Sequence, residues 1–244
     1  MLRFLLHPRW IGLTVFASVA VVVCVMLGLW QLDRLEERRA LNERIEAGRA
    51  VAPAPLQDLL DVGGALDHRR AAATGSYDVA HEVILYGRTL EGQPGNHVLT
   101  PLVLDDGTAI VVDRGWVPFE MDEPPVAEAA PPDGDVEVEG ALLAPQPGGA
   151  GSIQPGADRV TIVRSVDVEA IARDVPYDLL PWFLQLQVQS PPPGRLPVPE
   201  PPAELTQGPH LSYALQWFAF ATIAAVGYAV LVRREIAHRR SAAA

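Results

Sequence analysis

The sequence predicts a membrane protein in which two transmembrane α-helices flank an extracytoplasmic, β-rich α+β domain of antiparallel strands with one or two helices. Three observations carry this. The stretches 10–32 and 210–232 hold the uncharged apolar runs IGLTVFASVAVVVCVMLGLW and LSYALQWFAFATIAAVGYAVLV, each long enough to cross roughly 30 Å of hydrocarbon at about 1.5 Å per residue. Between them, short segments alternate apolar and polar and are separated by Gly, Asp and Pro, as strands are. Basic residues gather at the two ends, while residues 33–209 carry 13 Arg against 29 acidic residues.

In order, we expect a cytoplasmic N-terminus (1–9), a first span (10–32), an extracytoplasmic domain (33–209), a second span (210–232) and a basic cytoplasmic tail (233–244). The first span reads as an uncleaved anchor. The small residues Ala17-Ser18-Val19-Ala20 lie midway through the apolar run, whereas a signal peptide ends its apolar region at the cleavage site. Arg3 and Arg9 precede the first span and Arg233, Arg234, Arg239 and Arg240 follow the second, which places both termini in the cytoplasm of a multi-pass plasma-membrane protein. Arg34, Arg38, Arg39 and Arg44 stand against this, since the rule counts basic residues. Two spans require same-side termini, and the tail decides.

After the first span, Gln31 to about Ala47 continues a helical pattern, with Leu32, Leu35, Leu41 and Ile45 on one face and Glu and Arg on the other, so a helical stalk is expected up to Pro53 and Pro55. Leu56–Leu60 adds a short turn. Strands are expected at 69–77, 82–87, 97–104, 109–116, 136–143, 159–163 and 182–189. A helix is expected at 165–174 with Ser165 as its N-cap. The Pro/Gly/Ala-rich stretches 120–133 and 145–156 read as mobile surface loops, and Pro191–Pro202 as an extended linker back to the membrane.

The acidity excludes nucleic acid as a partner, because phosphates demand Lys and Arg. Cys24 stands alone inside the first span, so no disulfide framework exists, and a thiolate copper site is not encoded. No nucleophile elbow, zinc-protease, phosphate-loop or dinucleotide fingerprint occurs. Val112-Asp113-Arg114-Gly115-Trp116-Val117-Pro118 is the most distinctive loop motif; it fits a backbone role for Gly115 with Trp116 capping a core edge, and it also fits a partner contact. His68, His81 and His97 lie at the ends of different expected strands with no spacing that fixes a metal.

His210 differs, because an ionisable side chain at the mouth of a membrane helix is costly unless it faces protein or a bound group. Helical phase puts Tyr213, Trp217, Ala221 and Ala225 on its face. In the expected topology Trp30 and Gln31, at the outer end of the first span, sit at the same depth. Two readings fit: an axial imidazole for a haem iron, or an interfacial aromatic belt.

Three motifs occur in order: L-G-x-W-Q-L-x-R at Leu27–Arg34, the Val112–Pro118 loop, and G-P-H-L-S-Y-A-L-Q-W at Gly208–Trp217. With R-x-x-A-x-G-x-Y at Arg70–Tyr77 and Thr100-Pro101-Leu102, the chain resembles the Surf-1 (Shy1-type) family of cytochrome c oxidase assembly factors, bacterial branch, over about residues 10–232. The resemblance implies a non-enzymatic protein that acts on oxidase subunit I, with haem A as a transient ligand and haem A synthase as a further partner beside membrane lipid. It also implies that His210 is the haem-binding histidine and Trp217 the family's tryptophan in that helix. The expected haem site is thus His210, as iron ligand, with Tyr213, Trp217, Trp30 and Gln31. The alternative is a permanent, non-catalytic accessory subunit of the oxidase or its supercomplex.

Overall fold

The computed structural model of the chain describes residues 7–64, 66–146, 159–202 and 204–241. These residues form two compact units, one within Met1–Glu43 and Glu204–Ala244, the other within Arg44–Ala203. Helix α1 runs Pro8–Ala50, so the apolar span and its charged continuation are one uninterrupted helix. Its 43 residues are about 65 Å long, roughly twice the hydrocarbon thickness. Then follow β1 (Ala54–Pro55), α2 (Leu56–Val62), β2 (Arg70–Tyr77), β3 (Val83–Leu90), β4 (Gln93–Leu104), β5 (Ala109–Pro118), β6 (Asp135–Leu143), β7 (Ile162–Val163), α3 (Val168–Ala172), β8 (Leu179–Ser190) and α4 (His210–Ser241). Helix α4 continues past the expected end of the second span, because the basic tail after Val232 is itself rich in helix-forming Arg, Glu and Ala.

In the second unit the strands follow the order β1-β2-β6-β8-β5-β4-β3-β7, and an additional pairing joins β2 to β4. That pairing closes β2, β6, β8, β5 and β4 into a small barrel. Gly75, within the R-x-x-A-x-G-x-Y segment, permits the closure. It pairs with Leu104, and a Cβ in its place would run into the Val103 backbone. The sheet is mixed. Most long pairs are antiparallel as expected, but β5 and β8 run parallel, because β8 is reached from β6 through α3 and enters beside β5. The short pairs β1–β2 and β3–β7 are parallel too.

Alternation sorts the apolar residues to two sides of the barrel wall. Ala71, Ala73, Leu102, Leu104, Ile110, Val112, Val136, Val138, Leu142, Leu184 and Leu186 form one buried cluster, the barrel interior. The opposite parity supplies Val83, Leu85, Leu99, Val111 and Phe183, which pack with Val166, Val168 and Ile171 from the α3 region. Because both sides are covered, β5 is buried from Ala109 to Val117, and each fully buried Val, Leu or Ile there contributes roughly 1.5–3 kcal/mol.

Three local expectations change. The N-cap of α3 is Asp167, not Ser165: its Oδ1 accepts from Ala170 N at 3.0 Å, and the helix starts late because Val166, Val168 and Ile171 must all reach the cluster outside the barrel. The stretch 120–133 is not a free surface loop, since Val126 and Ala129 are buried around a 3-10 turn at Ala127–Ala129. Most of the expected loop 145–156 lies outside the described residues. The Pro-rich segment is a docked strap: Trp116 N donates to Val198 O at 2.7 Å and Val198 N to Trp116 O at 2.9 Å. Gly115 makes room for it, with φ +120° and a virtual Cβ only 2.8 Å from Pro199 Cα.

Candidate functional site

In the helical unit, less exposed positions of α4 recur at 210, 214, 217, 221, 224 and 228, flanked by 218, and those of α1 at 10, 14, 17, 21, 24, 28, 31 and 35, flanked by 13, 20, 27 and 32. Alternating steps of four and three residues make a coiled-coil-like seam on each helix. Ala214 and Ala221 are buried on that seam, where small side chains let backbones approach. Side-chain hydrogen bonds join the helices at two levels among the described residues. Thr14 Oγ1 and Tyr228 OH are 2.5 Å apart, and His210 Nδ1 lies 2.8 Å from Gln31 Oε1. Further along, Arg39 Nε donates to Gln207 Oε1 and Asn42 Nδ2 to Thr206 O, each at 3.2 Å.

The Gln31–His210 bond decides what the imidazole can do. With the amide oxygen as acceptor, Nδ1 is the donor, and in that tautomer of an imidazole the lone pair is on Nε2. Beside Nε2 the chain is Gly208, φ +65°, where a Cβ would lie 3.4 Å from that nitrogen. The structure thus brings His210 and Gln31 together and puts Trp217 on the seam, edge-on to Phe220 at 5.8 Å. Tyr213 and Trp30 stand off the seam, 46% and 49% exposed. The seam takes position 214 instead of 213, and Trp30 lies under the Arg34 guanidinium at 5.7 Å.

The barrel unit holds a second set of polar groups, of which only Arg114 lies in a motif that the sequence singles out. Arg114 and Glu82 are 1% and 0% exposed. Arg114 Nη1 donates to Glu82 Oε2 at 3.3 Å and Nη2 to Ala129 O at 2.6 Å, while Glu82 also accepts from Val126 N at 2.7 Å and Thr100 Oγ1 at 3.2 Å. The Tyr77 ring covers the guanidinium at 5.2 Å. Burial pushes the Glu82 carboxyl above its usual range, against the Val126 amide, Arg114 and Thr100; burial lowers Arg114 and raises the Tyr77 hydroxyl. The network therefore nails the 120–133 segment onto the barrel. The signal was present in the sequence: Asp113 and Arg114 interrupt the apolar run AIVVDRGWV, and a charge in a strand covered on both sides must find a partner.

The three histidines of this unit do not converge. Each has its own carboxylate: His68 with Asp67 at 3.3 Å, His81 with Asp78 at 2.6 Å and His97 with Asp113 at 2.9 Å. Asp78 also accepts from Tyr177 OH at 2.9 Å. Burial pushes the Asp78 carboxyl up, but hydrogen bonds from His81 and Tyr177 outweigh it and hold it below the usual carboxylate range. Tyr177 moves up through burial and through its bond to Asp78.

Two candidate membrane spans joined by side-chain hydrogen bonds, with a closed β-barrel unit between them in sequence, define the class: a two-span membrane protein carrying a mixed-sheet domain. The SURF1 family model matches residues 18–222, and the chain belongs to that family, known in general for cytochrome oxidase assembly. An uncharacterised SURF1-like protein of Mycobacterium tuberculosis (strain ATCC 25618 / H37Rv) is 31% identical over 246 residues, covering 98% of this chain and 89% of that protein. Surfeit locus protein 1 of Homo sapiens is 26% identical, over 80% of this chain and 69% of its own length. A SURF1-like protein of Rickettsia felis is 23% identical, over 89% and 95%.

Proposed function

We propose that the protein is an assembly factor for the haem-copper (cytochrome c) oxidase that stabilises haem A, or nascent subunit I, at the outer half of the plasma membrane, without being an enzyme. The observation that carries this is the Gln31–His210 hydrogen bond in a chain of this family. The donor set fits a haem: one imidazole nitrogen retains its lone pair, the neighbouring Gly208 presents no side chain to it, and Trp217 supplies flat apolar surface. His210 would hold the iron, Gln31 would fix its tautomer, and Tyr213 and Trp30 would lend their exposed faces. The bound group would supply an iron centre; the chain's part is to keep the proton on Nδ1, in a hydrogen bond donated to Gln31 Oε1, and to exclude lipid from the seam. In this reading both termini are cytoplasmic, residues 33–209 are extracytoplasmic, and subunit I and haem A synthase are the partners.

Co-expression with haem A synthesis tests it. The purified full-length protein should carry a haem A spectrum that His210→Ala loses, and Gln31→Ala should weaken haem retention by about 10–100-fold, as loss of a group orienting a metal ligand does. Full haem occupancy in His210→Ala would sink the axial role. A deletion strain with normal oxidase activity would remove the assembly role. Quantitative recovery with mature oxidase would replace it by the permanent-subunit reading.

A further inference from the structure

Outside the helical unit, one set of ligating side chains has no task in the reading above. One ring nitrogen of His97 and one carboxylate oxygen each of Asp113 and Glu200 all lie within 4.8 Å of one another. They come from β4, from β5 and from the docked strap, and they line a cavity of about 170 Å³ together with Gln185 and Arg88. His97 and Asp113 are 3% and 5% exposed. They meet across the β4–β5 pair where the register slips between Val98 and Leu99. Asp113 Oδ1 is held by the Gly115 amide at 3.1 Å, which turns Oδ2 toward His97 Nδ1 at 2.9 Å.

A second carboxylate facing this buried pair calls for a cation. Glu200 Oε2 accepts from Gln185 Nε2 at 2.6 Å, which aims the carboxylate over the pair. Two carboxylates so close repel unless a positive charge lies between them. Arg88 lines the same cavity but forms no ion pair with either among the described residues. We propose that His97, Asp113 and Glu200 form a divalent transition-metal site, with Gln185 positioning Glu200. Ligands sharing one such ion at about 2.0–2.2 Å stand roughly 3–3.5 Å apart, and the 2.9 Å between His97 Nδ1 and Asp113 Oδ2 is close to that already. The remaining closure falls to Glu200, which is exposed and sits on the strap. One imidazole with two carboxylates selects a zinc-like ion over Mg²⁺ or Ca²⁺, which prefer oxygen throughout. Three protein ligands leave a position open for water or a partner's side chain. The ion would also fasten the strap, adding to the two backbone hydrogen bonds at Val198 and the Gln185–Glu200 hydrogen bond.

The site lies wholly within the barrel unit and does not depend on the haem reading. Chelator-stripped full-length protein in detergent micelles, titrated calorimetrically with Zn²⁺, should bind one equivalent saturably and melt at a higher temperature with the metal. Glu200→Gln keeps the buried pair intact and should lower that affinity at least tenfold and abolish the thermal shift, while Glu204→Gln leaves both unchanged. His97→Gln should remove the equivalent. Absence of a saturable equivalent overturns the proposal, and so does Glu200→Gln binding Zn²⁺ with the affinity of the unaltered chain, because the ion would then sit on other histidines.

Discussion

The barrel and the helical pair handle polar groups in opposite ways. In the barrel, full charges are withdrawn from water: Arg114 and Glu82 are sealed behind β5, Tyr77 and the 120–133 segment. In the helical pair, the interhelical side-chain contacts at Thr14–Tyr228 and Gln31–His210 involve no carboxylate or guanidinium, and large apolar groups such as Phe16, Met26 and Phe220 point outward. The difference follows from the surroundings each is built for. A water-bathed barrel buries its apolar residues for free energy and can hold one charged pair if every lone pair is met. Helices in lipid gain nothing by hiding Leu from an equally apolar solvent, so small residues and neutral hydrogen bonds set their register.

Four substitutions break or sharpen this contrast. The largest effect belongs to Arg114→Met, which leaves Glu82 buried without its cation; we expect a loss of about 3–5 kcal/mol, read by urea unfolding of the full-length protein in detergent through tryptophan fluorescence. A loss below 1 kcal/mol would mean that the pair is solvated. Gly115→Ala forces a Cβ into the strap at φ +120° and should cost about 1–3 kcal/mol, with faster proteolysis at 191–202. An unchanged cleavage rate would show that the strap does not depend on this approach.

Asp78→Asn should cost about 1 kcal/mol at neutral pH, and its pH dependence carries the sign. Because the folded carboxyl titrates lower than the unfolded one, its stabilisation is complete above an unfolded value of about 3.9 and is lost as pH falls through the lower folded value. The gap between variant and parent should therefore close in acid, and a gap that widens there contradicts the assignment. The smallest effect is in the helical pair. Tyr228→Phe removes one membrane-type hydrogen bond worth roughly 0.6 kcal/mol, measurable as weaker disulfide crosslinking between cysteines placed along the two seams. A loss comparable to Arg114→Met would erase the contrast.

Much of this organisation is legible in the residues. Uncharged runs announce the spans, and period-two alternation locates the long strands of the barrel to within a few residues. His210 stands out because a titratable ring at a helix mouth needs a reason. Its pairing with Gln31 follows the matched depth of the two spans. What escaped were contacts whose partners are distant in sequence. Glu82 and Arg114 are 32 positions apart; the apolar run around Arg114 says that it needs a partner, but nothing local says that the partner is Glu82. The 120–133 segment has a loop's composition, but Val126 and Ala129 cover a buried charge pair. The strap has a linker's composition, yet its extended backbone offers Val198 to a strand edge.

Length, polarity and period by themselves determine that this chain has two lipid-compatible helices and a stranded unit, because those properties are local and a helix or strand satisfies its own face. Only the tertiary structure decides that β2 meets β4 to close a barrel, that β8 enters parallel to β5, that the seam runs through Ala214 rather than Tyr213, and that His97, Asp113 and Glu200 face one cavity. Each of these depends on which segments approach through space, and that is set by the summed packing of many residues rather than by any one of them.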